Sequence, residues 1–347
     1  MKDINTLNGQ VDTLFFIGDV HGQNNKLELL LAEADFDIGD IENSSYRSSR
    51  LVFLGDLIDN KPAQGADHIS TLDHVKSLVE QGLAYCVMGN HEFNAIGWSI
   101  QKQDGSSCRC HDKPGNIKQH QLFLEQVGKN SDEHIKWVQW FKALPLFLDF
   151  DTVRCIHACW DQDAIDRLKT YLNPDNSLKE GYWLDVFNPE HELYSLCEML
   201  LKGPELALPD GHFFYDKNGV QRQELRMAWW KSDAVTYRDI GIVQQSERER
   251  IPEIPLPKQQ QAKVIDVPVI VGHYTLHSPP ERLPTPLSSK VVCVDYNAAS
   301  KEGKLVGYWM ELYSSDEDEA ARVTERQFCY QDAPMIESYI DEGVCEL

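Results

Sequence analysis

Short apolar runs recur along the chain, and the first three each end in a pair of residues that begins with glycine. The runs and their endings are residues 14–17 before Gly18-Asp19, residues 51–54 before Gly55-Asp56, and residues 84–88 before Gly89-Asn90. Runs of this length with turn residues behind them predict strands that are buried on both faces. Later runs predict further strands at residues 153–157, 264–271, 291–294 and 305–310.

Between these runs the apolar residues recur at every third or fourth position, which is the period of a helix. The pattern predicts helices over residues 26–34, 67–81, 131–144 and 191–201. Alternation of strand and helix predicts parallel strands that share a sheet. Because parallel strands end at the same edge, the polar residues behind the runs should meet there, where open α/β sheets bind ligands.

The middle of the chain does not follow this pattern. Residues 160–263 lack the strand endings, and a hairpin is predicted to turn at Lys217-Asn218-Gly219. Residues 246–263 are charged and rich in Gln and Pro, which predicts a mobile linker or lid. We therefore predict one discontinuous α/β catalytic domain, built from residues 1–159 and 264–347, with residues 160–263 inserted as a cap.

The charge of the chain argues against one class of partner. The 33 basic and 55 acidic residues give a formal net charge of −22. A protein that binds a nucleic-acid duplex needs a broad basic face, so we expect no such partner. An anionic substrate is still compatible with this charge, because bound metal ions supply positive charge locally.

The distribution of apolar residues and cysteines favours a cytoplasmic protein that binds no membrane. Residues 1–10 are polar, and no apolar stretch approaches the length of a membrane span. The nine cysteines are an odd number, and Cys86, Cys155 and Cys293 lie inside apolar runs. This usage is typical of reduced, buried thiols.

Polar side chains with the chemistry of metal ligands follow the predicted strands: Asp19, His21, Asp56, Asn90, His157 and His273. Carboxylate, amide and imidazole groups are oxygen and nitrogen ligands, which suit Mn²⁺, Fe, Zn²⁺ or Mg²⁺ and do not form a soft thiolate site. Asp19 and His21 point to the same face of an extended segment, so they can chelate one ion. Asp56 would then be the carboxylate that bridges to a second ion. Each residue alone fits a simple polar turn, but the ordered set favours a metal site.

Five sequence blocks resemble the signature of the calcineurin-like metallophosphoesterases. They are Gly18-Asp19-Val20-His21-Gly22, Gly55-Asp56-Leu57-Ile58-Asp59, Gly89-Asn90-His91-Glu92, His157-Ala158 and Gly272-His273, in the family's order. Their form is most similar to the phosphoprotein phosphatase branch and its bacterial relatives, including the symmetrical diadenosine tetraphosphatases. Three later segments resemble a group of bacterial metallophosphoesterases: Lys202-Gly203-Pro204-Glu205, Trp229-Trp230 and Asp295-Tyr296. The resemblance implies two central mixed β-sheets flanked by helices, with an inserted cap.

The resemblance also implies a role for each residue of a dinuclear site. Asp19 and His21 would bind the first metal, Asp56 would bridge, and the second metal would be bound by Asn90, His157 and His273. His91 would be the general acid for the leaving group, and Asp59 would orient it and keep it protonated. A hydroxide that bridges two divalent ions, with Mn²⁺ preferred over Fe, Zn²⁺ or Mg²⁺, would attack phosphorus in line.

One position departs from the family pattern. The second block continues as Asn60-Lys61-Pro62, where the phosphoprotein phosphatases have an arginine followed by glycine. That arginine normally binds the substrate phosphate, so this function must come from elsewhere here, either from another cation or mainly from the metals and Asn90. The candidates are Lys61, Arg222 and Arg226, the last two because the predicted cap is placed to fold over the site.

Three hypotheses for the function remain. The first is hydrolysis of a phosphorylated protein or peptide, with phosphoserine, phosphothreonine and phosphotyrosine all open. The second is hydrolysis of a dinucleoside polyphosphate or another small phosphoanhydride. The third is a metal-binding interaction module without catalysis, against which the complete ligand set and the pair of His91 and Asp59 argue.

Several other features have both a structural and a functional interpretation. Cys108-Arg109-Cys110-His111 lies in the polar segment 101–115 and lacks a second pair at zinc spacing, so we predict a flexible loop near the site entrance. We predict that Cys155 is a buried strand residue rather than a thiol beside the metals. We predict that Trp229-Trp230 anchors the cap rather than stacking on an aromatic leaving group. Histidines without a motif are predicted to lie on the surface or in the cap: His68, His74, His120, His134, His191 and His212.

Overall fold

The fold is seen in a computed structural model that describes residues 11–36, 49–59, 65–216, 219–260, 263–276, 284–312 and 323–330. The strands are β1 (Thr13–Ile17), β2 (Ser49–Phe53), β3 (Ala84–Cys86), β4 (Phe147–Asp149), β5 (Arg154–Ile156), β6 (Glu205–Ala207), β7 (Phe214–Tyr215), β8 (Gln221–Arg222), β9 (Glu224–Arg226), β10 (Val269–Val271), β11 (Val291–Cys293), β12 (Asp295–Tyr296), β13 (Lys304–Glu311) and β14 (Phe328–Tyr330). The helices are α1 (Asn24–Glu33), α2 (His68–Glu80), α3 (Asn90–Ser99), α4 (Pro114–Val127), α5 (Asp132–Lys142), α6 (Gln162–Leu168), α7 (Glu192–Lys202) and α8 (Tyr237–Ile240).

Two mixed sheets form the centre of the fold, which confirms the predicted architecture. Within the described ranges the first sheet has the order β12-β13-β1-β2-β3, with β14 also paired to β13. The strands β1, β2 and β3 are parallel, and β13 runs antiparallel to β1. The second sheet has the order β11-β10-β5-β4, with β10 parallel to β5 and β11. The strands that precede the predicted ligands therefore belong to both sheets.

The sheets pack face to face, and alternate side chains of each strand enter different cores. Leu14 and Phe16 of β1 lie in the apolar cluster between the sheets, together with Ile270 of β10. Phe15 points the other way, into the larger core that also contains Leu27 of α1. Because both faces of these strands are buried, the strands appear in the sequence as unbroken apolar runs.

The predicted helices correspond to α1, α2, α5 and α7, while α3 and α4 were not predicted. Helix α2 begins behind Asp67, whose carboxylate accepts a hydrogen bond from the backbone N–H of Ser70 at 2.9 Å. Helix α3 begins at Asn90, inside the third sequence block. Helix α4 begins at Pro114, whose missing N–H suits the first turn. No helix in the described ranges is long and apolar enough to cross a bilayer.

Residues 160–263 divide into two parts. Helices α6 and α7 pack into the larger core, whereas the strands from β6 to β9 form two small antiparallel pairs beside an apolar cluster of their own. The pairing of β7 with β8 confirms the predicted hairpin, although Lys217 and Asn218 of its turn lie outside the described residues. Ile251 and Leu256 are buried in the small cluster. Most of the other described residues of 246–263 are exposed, and the mobility of this segment stays a prediction.

Candidate metal centre

The predicted metal ligands converge where strands of the two sheets end. Asp19 and His21 follow β1, Asp56 follows β2, Asn90 opens α3 behind β3, and His157 and His273 follow β5 and β10. All are buried except His273, which is half-buried. Buried polar groups cost free energy unless they are paired. The cluster therefore needs hydrogen bonds, bound cations or both.

The backbone at the site is bent into a conformation that residues other than glycine rarely adopt. The φ angle is 49° at His21, 51° at Asp56, 63° at Asp59 and 68° at His273. Such a conformation costs about 1–3 kcal/mol per residue and persists only where neighbouring contacts hold it. One such contact is the hydrogen bond from the backbone N–H of His21 to the carbonyl of Asp56, at 2.9 Å. It joins the loops behind β1 and β2.

Two glycines allow the carboxylates to approach the backbone closely. A Cβ atom at Gly89 would lie 2.2 Å from the backbone nitrogen of Asp56, and one at Gly272 would lie 2.1 Å from Oδ1 of Asp19. No side chain fits at such distances. The glycines of the sequence blocks are therefore needed for space beside the ligands.

Glu92 fixes the loop that carries Asp56. Its carboxylate accepts backbone N–H groups from Asp56 at 2.8 Å, Leu57 at 2.8 Å, Ile58 at 3.3 Å and Gly89 at 3.0 Å. Burial and the nearby charge of Asp56 raise the pKa of Glu92 to about 7. The third sequence block contains Glu92, but no role was predicted for it, because its partners are backbone atoms from another block.

A first group of possible ligand atoms belongs to His21, Asp56 and His91, within 4.8 Å of one another. The Nδ1 atom of His21 lies 2.9 Å from the carbonyl of Ile58, which leaves Nε2 free for an ion. His91 takes the place in this group that the resemblance gives to Asp19. Asp19 lies close by, and its carboxylate accepts the backbone N–H of His273 at 3.1 Å.

A second group consists of Asp56, His157 and His273, also within 4.8 Å of one another. The Nδ1 atom of His157 lies 2.7 Å from the carbonyl of Leu54, so its Nε2 faces Asp56 at 3.4 Å and Oδ1 of Asn90 at 3.1 Å. Asp56 is common to both groups, which is the position predicted for a bridging carboxylate.

Two observations show that these residues fit metal ions. The Nε2 atom of His273 is buried and has no hydrogen-bond partner among the described residues. Burial and the carboxylates of Asp295 and Asp56 raise the pKa of Asp19 well above its usual value. An unpaired imidazole nitrogen beside crowded carboxylates is the arrangement that a divalent cation would stabilise.

His91 lies between two carboxylates. Its Nε2 is 3.7 Å from Oδ2 of Asp56, and its Nδ1 is 3.6 Å from Oδ2 of Asp59. Burial opposes the charged form of the ring, but Asp56 and Asp59 outweigh this and raise the pKa of His91 to about 9. The two carboxylates therefore favour the protonated form of the imidazole.

Asp59 has a closer partner than His91, and it is a residue that was predicted to lie on the surface or in the cap. The Nδ1 atom of His120 lies 2.9 Å from each carboxylate oxygen of Asp59, and His120 is buried. Burial has the largest single effect and raises the pKa of Asp59, but the charges and hydrogen bonds of His120 and His91 together outweigh it and lower the pKa far below its usual value. The surface prediction for His120 is therefore wrong.

The residue that precedes His120 in α4 contacts His91. The Nε2 atom of Gln119 lies 3.2 Å from Nε2 of His91, and Oε1 of Gln119 accepts a hydrogen bond from Arg109. Arg109 also donates to Asn94 of α3, so the loop that contains Arg109 packs against the helix that begins at the site. Gln119 and Arg109 belong to no sequence motif. The only signal for Arg109 was its place in a loop predicted to lie near the site entrance.

The same loop shows no zinc site. Cys108 and Cys110 are free thiols and belong to no group of possible metal ligands among the described residues. His111 instead stacks on Trp98, with ring centroids 3.9 Å apart. Cys155 lies in the cluster between the sheets, as predicted for a buried strand residue, and burial raises its pKa.

The candidate phosphate-binding cations have different environments. Arg226 is half-buried, and its charge is among the causes, after burial and His157, that lower the pKa of His273. Arg222 is mostly exposed and forms an ion pair with Asp216 at 2.7 Å. Lys61 lies outside the described residues. Of the two described candidates, only Arg226 is near the ligands.

The three later sequence segments meet around the loop that follows His273. The hydroxyl of Tyr274 accepts the indole N–H of Trp229 at 2.8 Å and would be only 2.6 Å from a Cβ atom at Gly203. The next backbone N–H, of Thr275, donates to Asp295 at 2.6 Å. Trp229 also donates to a backbone carbonyl at 3.1 Å, so it anchors the structure as predicted.

Comparison with known proteins shows which family and which relatives this chain resembles. A sequence model of the calcineurin-like phosphoesterases matches residues 13–274. An asymmetrical bis(5'-nucleosyl)-tetraphosphatase, PrpE, from Oceanobacillus iheyensis is 29% identical over 145 residues, which are 41% of this chain and 53% of that protein. A symmetrical bis(5'-nucleosyl)-tetraphosphatase from Shewanella sp. strain MR-4 is 26% identical over 178 residues, which are 50% of this chain and 54% of that protein. The chain thus spans about half the length of these curated relatives.

Solved structures with a similar course of the chain include two protein phosphatases. A cold-active protein-tyrosine phosphatase of a psychrophilic Shewanella species has a TM-score of 0.46 and 17% identity, over 89% of this chain and 80% of that one. A protein serine/threonine phosphatase from Saccharomyces cerevisiae has a TM-score of 0.46 and 13% identity, over 96% of this chain and 84% of that one. The matching sequence model covers most of the chain and every strand end of the candidate site, and the chain therefore belongs to the calcineurin-like phosphoesterases.

Proposed function

We propose that this phosphoesterase hydrolyses phosphomonoesters carried on proteins, with two divalent metal ions at the strand ends and His91 as the general acid. The observation that carries the proposal is the position of His91. Its ring lies beside Asp56, which is common to both ligand groups, and beside Asp59 on the other side. A proton donor next to a dinuclear centre is what a strongly basic leaving group requires.

The ligand set supports two metal ions. One would be held by Asp19, His21 and Asp56, and the other by Asp56, Asn90, His157 and His273. We propose Mn²⁺ as the native ion; the oxygen and nitrogen donors of these ligands suit it, and they also suit Fe, Zn²⁺ and Mg²⁺. When bound, the two ions would supply Lewis-acid stabilisation of the phosphoryl oxygens and a water with a lowered pKa.

His91 can deliver a proton from a defined atom. Its Nδ1 faces Asp59, so Nε2 is the nitrogen directed toward Asp56 and the reaction centre. Asp56 and Asp59 raise the pKa of His91 to about 9, which favours the protonated ring that the proposal requires. Proton donation to an alkoxide or phenoxide contributes about 10²–10⁴-fold to turnover. A nucleotide is a weaker base and needs this help less, which favours a phosphomonoester.

Arg226 is the proposed phosphate-binding residue in place of the arginine that Asn60 replaces. It is half-buried near His273, and its side chain forms no ion pair with the described residues. An arginine without a carboxylate partner is available to bind two phosphate oxygens at once. Arg222 is already paired with Asp216 and is not needed for this role.

A dinucleoside polyphosphate is the alternative substrate, and a specific observation favours it. Both curated relatives described above are named bis(5'-nucleosyl)-tetraphosphatases. The two substrates differ in the leaving group, which is a serine, threonine or tyrosine oxygen in one case and a nucleotide in the other.

A substrate panel separates the two proposals. The purified chain would be assayed with Mn²⁺ on phosphoserine, phosphothreonine and phosphotyrosine peptides and on diadenosine tetraphosphate. Our proposal predicts a higher kcat/KM on at least one phosphopeptide, and full loss of activity with a chelator. A preference for diadenosine tetraphosphate would support the alternative. No turnover with any substrate or divalent ion would support a binding module instead.

A further inference from the structure

We infer that His120 positions the general acid His91 through the carboxylate of Asp59, an inference that rests on the proposed role of His91. His120 belongs to α4, which lies outside the sequence blocks that mark the site. Asp59 lies between the two imidazoles. Its Oδ2 atom lies 2.9 Å from Nδ1 of His120 and 3.6 Å from Nδ1 of His91.

The shorter contact decides which residue orients the carboxylate. A charge-assisted hydrogen bond near 2.9 Å is strong and directional, whereas at 3.6 Å the carboxylate acts on His91 through its charge rather than through a hydrogen bond. Asp59 is therefore held by His120 and presents its remaining acceptor capacity to His91. Without His120, the buried carboxylate of Asp59 would lose its best donor and would be free to turn away from the acid.

The surroundings of His120 also indicate that its role is to hold the carboxylate of Asp59. Its ring packs between Trp98 and Phe123, with centroids 5.3 Å and 5.2 Å away. Its Nε2 atom is buried without a partner among the described residues. The bond to Asp59 is thus the one polar contact described for a ring otherwise in aromatic surroundings, where an apolar residue would pack at lower cost.

A second residue of α4 lies beside the acid. The Oε1 atom of Gln119, the neighbour of His120, accepts from Arg109, so its Nε2 donor faces Nε2 of His91 at 3.2 Å and suits the ring after the proton has left. One helix therefore contacts both members of the pair, Asp59 through His120 and His91 through Gln119. Changes at His120 should affect the delivery of the proton and leave metal binding intact.

The dependence of turnover on the leaving group tests this inference. Phenyl phosphate has a basic leaving group that needs the acid, and dinitrophenyl phosphate has one that does not. In the presence of Mn²⁺, His120→Ala should lower kcat on phenyl phosphate about 10-fold, which is less than the about 10²–10⁴-fold that a general acid contributes. On dinitrophenyl phosphate, kcat should change less than about 2-fold. His120→Asn keeps a side-chain N–H donor and should recover most of the loss.

His134 provides a matched control. It is also buried and also packs against Phe123, but its ring contacts Ser99 and the backbone of Asn130 rather than Asp59. His134→Ala should leave the ratio of the two activities unchanged. In a His91→Asn background, His120→Ala should lower phenyl phosphate turnover no further, because the acid it positions is gone.

The outcomes separate this inference from the proposed function. An equal loss on both substrates, or the same change of ratio in His134→Ala, would show that His120 is only structural and overturn the inference. Loss of bound Mn²⁺ in His120→Ala, measured by metal analysis, would overturn it as well. No metal-dependent turnover in the wild-type chain would overturn the proposed function, and with it the acid that His120 positions.

Discussion

The metal side and the acid side of the site are built from different kinds of contact. On the metal side, His21 and His157 are oriented by backbone carbonyls, those of Ile58 and Leu54. On the acid side, the partners of Asp59 and His91 are side chains, contributed by α4. Backbone partners come with the fold, whereas side-chain partners depend on single residues.

This difference has a functional consequence. The strand ends fix His21 and His157 wherever the sheets form, so substitution of most neighbouring side chains should hardly move them; Asp56 depends in addition on Glu92. The orientation of the acid depends on Gln119 and His120, two residues of a separate helix. Point substitutions should therefore be able to remove proton delivery without removing the metals, and the following predictions test that separation.

The largest effect is expected for Asp56→Asn. Asp56 is common to both ligand groups, and an amide cannot carry the negative charge that would hold two cations. Phosphate release should fall to the level measured with a chelator, and metal analysis should show fewer than two ions bound per chain. Asp216→Asn, which alters an acidic residue paired with Arg222 away from the site, is the control and should change neither quantity.

His91→Asn should produce the next largest effect and affect one side only. Turnover of a phosphomonoester with a basic leaving group should fall about 10²-fold or more, because the proton donor is lost. Both metals should remain bound. Since His91 lies within ligand distance of His21 and Asp56, loss of a metal in this variant would reassign His91 as a ligand.

Arg226→Ala should weaken substrate binding more than it slows the reaction. Loss of a charge-assisted contact to phosphate costs about 1.5–3 kcal/mol, which corresponds to a rise of KM of about 10-fold or more. Steady-state kinetics of the variant and of Arg222→Ala would be compared. Equal effects of the two substitutions would contradict the assignment of Arg226 and return the question to Lys61.

The smallest effect is expected for Trp229→Phe. The indole N–H donates to the hydroxyl of Tyr274 and to the carbonyl of Ala158, so its loss should lower the free energy of unfolding by about 1–2 kcal/mol. Denaturant unfolding would measure this. Trp160→Phe, which removes a bond to the exposed Gln162, should cost less. A change of leaving-group preference in Trp229→Phe would instead indicate stacking on the substrate.

The metal side could be predicted from sequence because its signals are local. Each ligand stands directly behind an apolar run, so strand periodicity and the adjacent glycine identify it, as at Asp19 and Asp56. The two mixed sheets followed from the family resemblance. The assignment of each ligand to a particular metal remains a prediction, because the distances place His91 rather than Asp19 in the first group.

The acid side could not be predicted because its contacts are distant in sequence. His120 meets Asp59 across 61 positions, and Glu92 binds backbone groups of another loop across 34 to 36 positions. The apolar residues of α4 are bunched at residues 122–127, with only Ile117 before them, so no helical period is evident around Gln119. The burial of Ile251 and Leu256 was not predicted for a similar reason, since both are isolated in a polar segment and their burial depends on tertiary packing.

Titration of Mn²⁺ into the metal-free chain is the most direct test of a dinuclear phosphatase. Phosphate release from a phosphopeptide would be followed together with the number of ions bound. Our account predicts that activity appears as the second ion binds and is absent in Asp56→Asn, while His91→Asn binds both ions with little turnover. Full activity in the presence of a chelator, or saturation at a single ion, would contradict it.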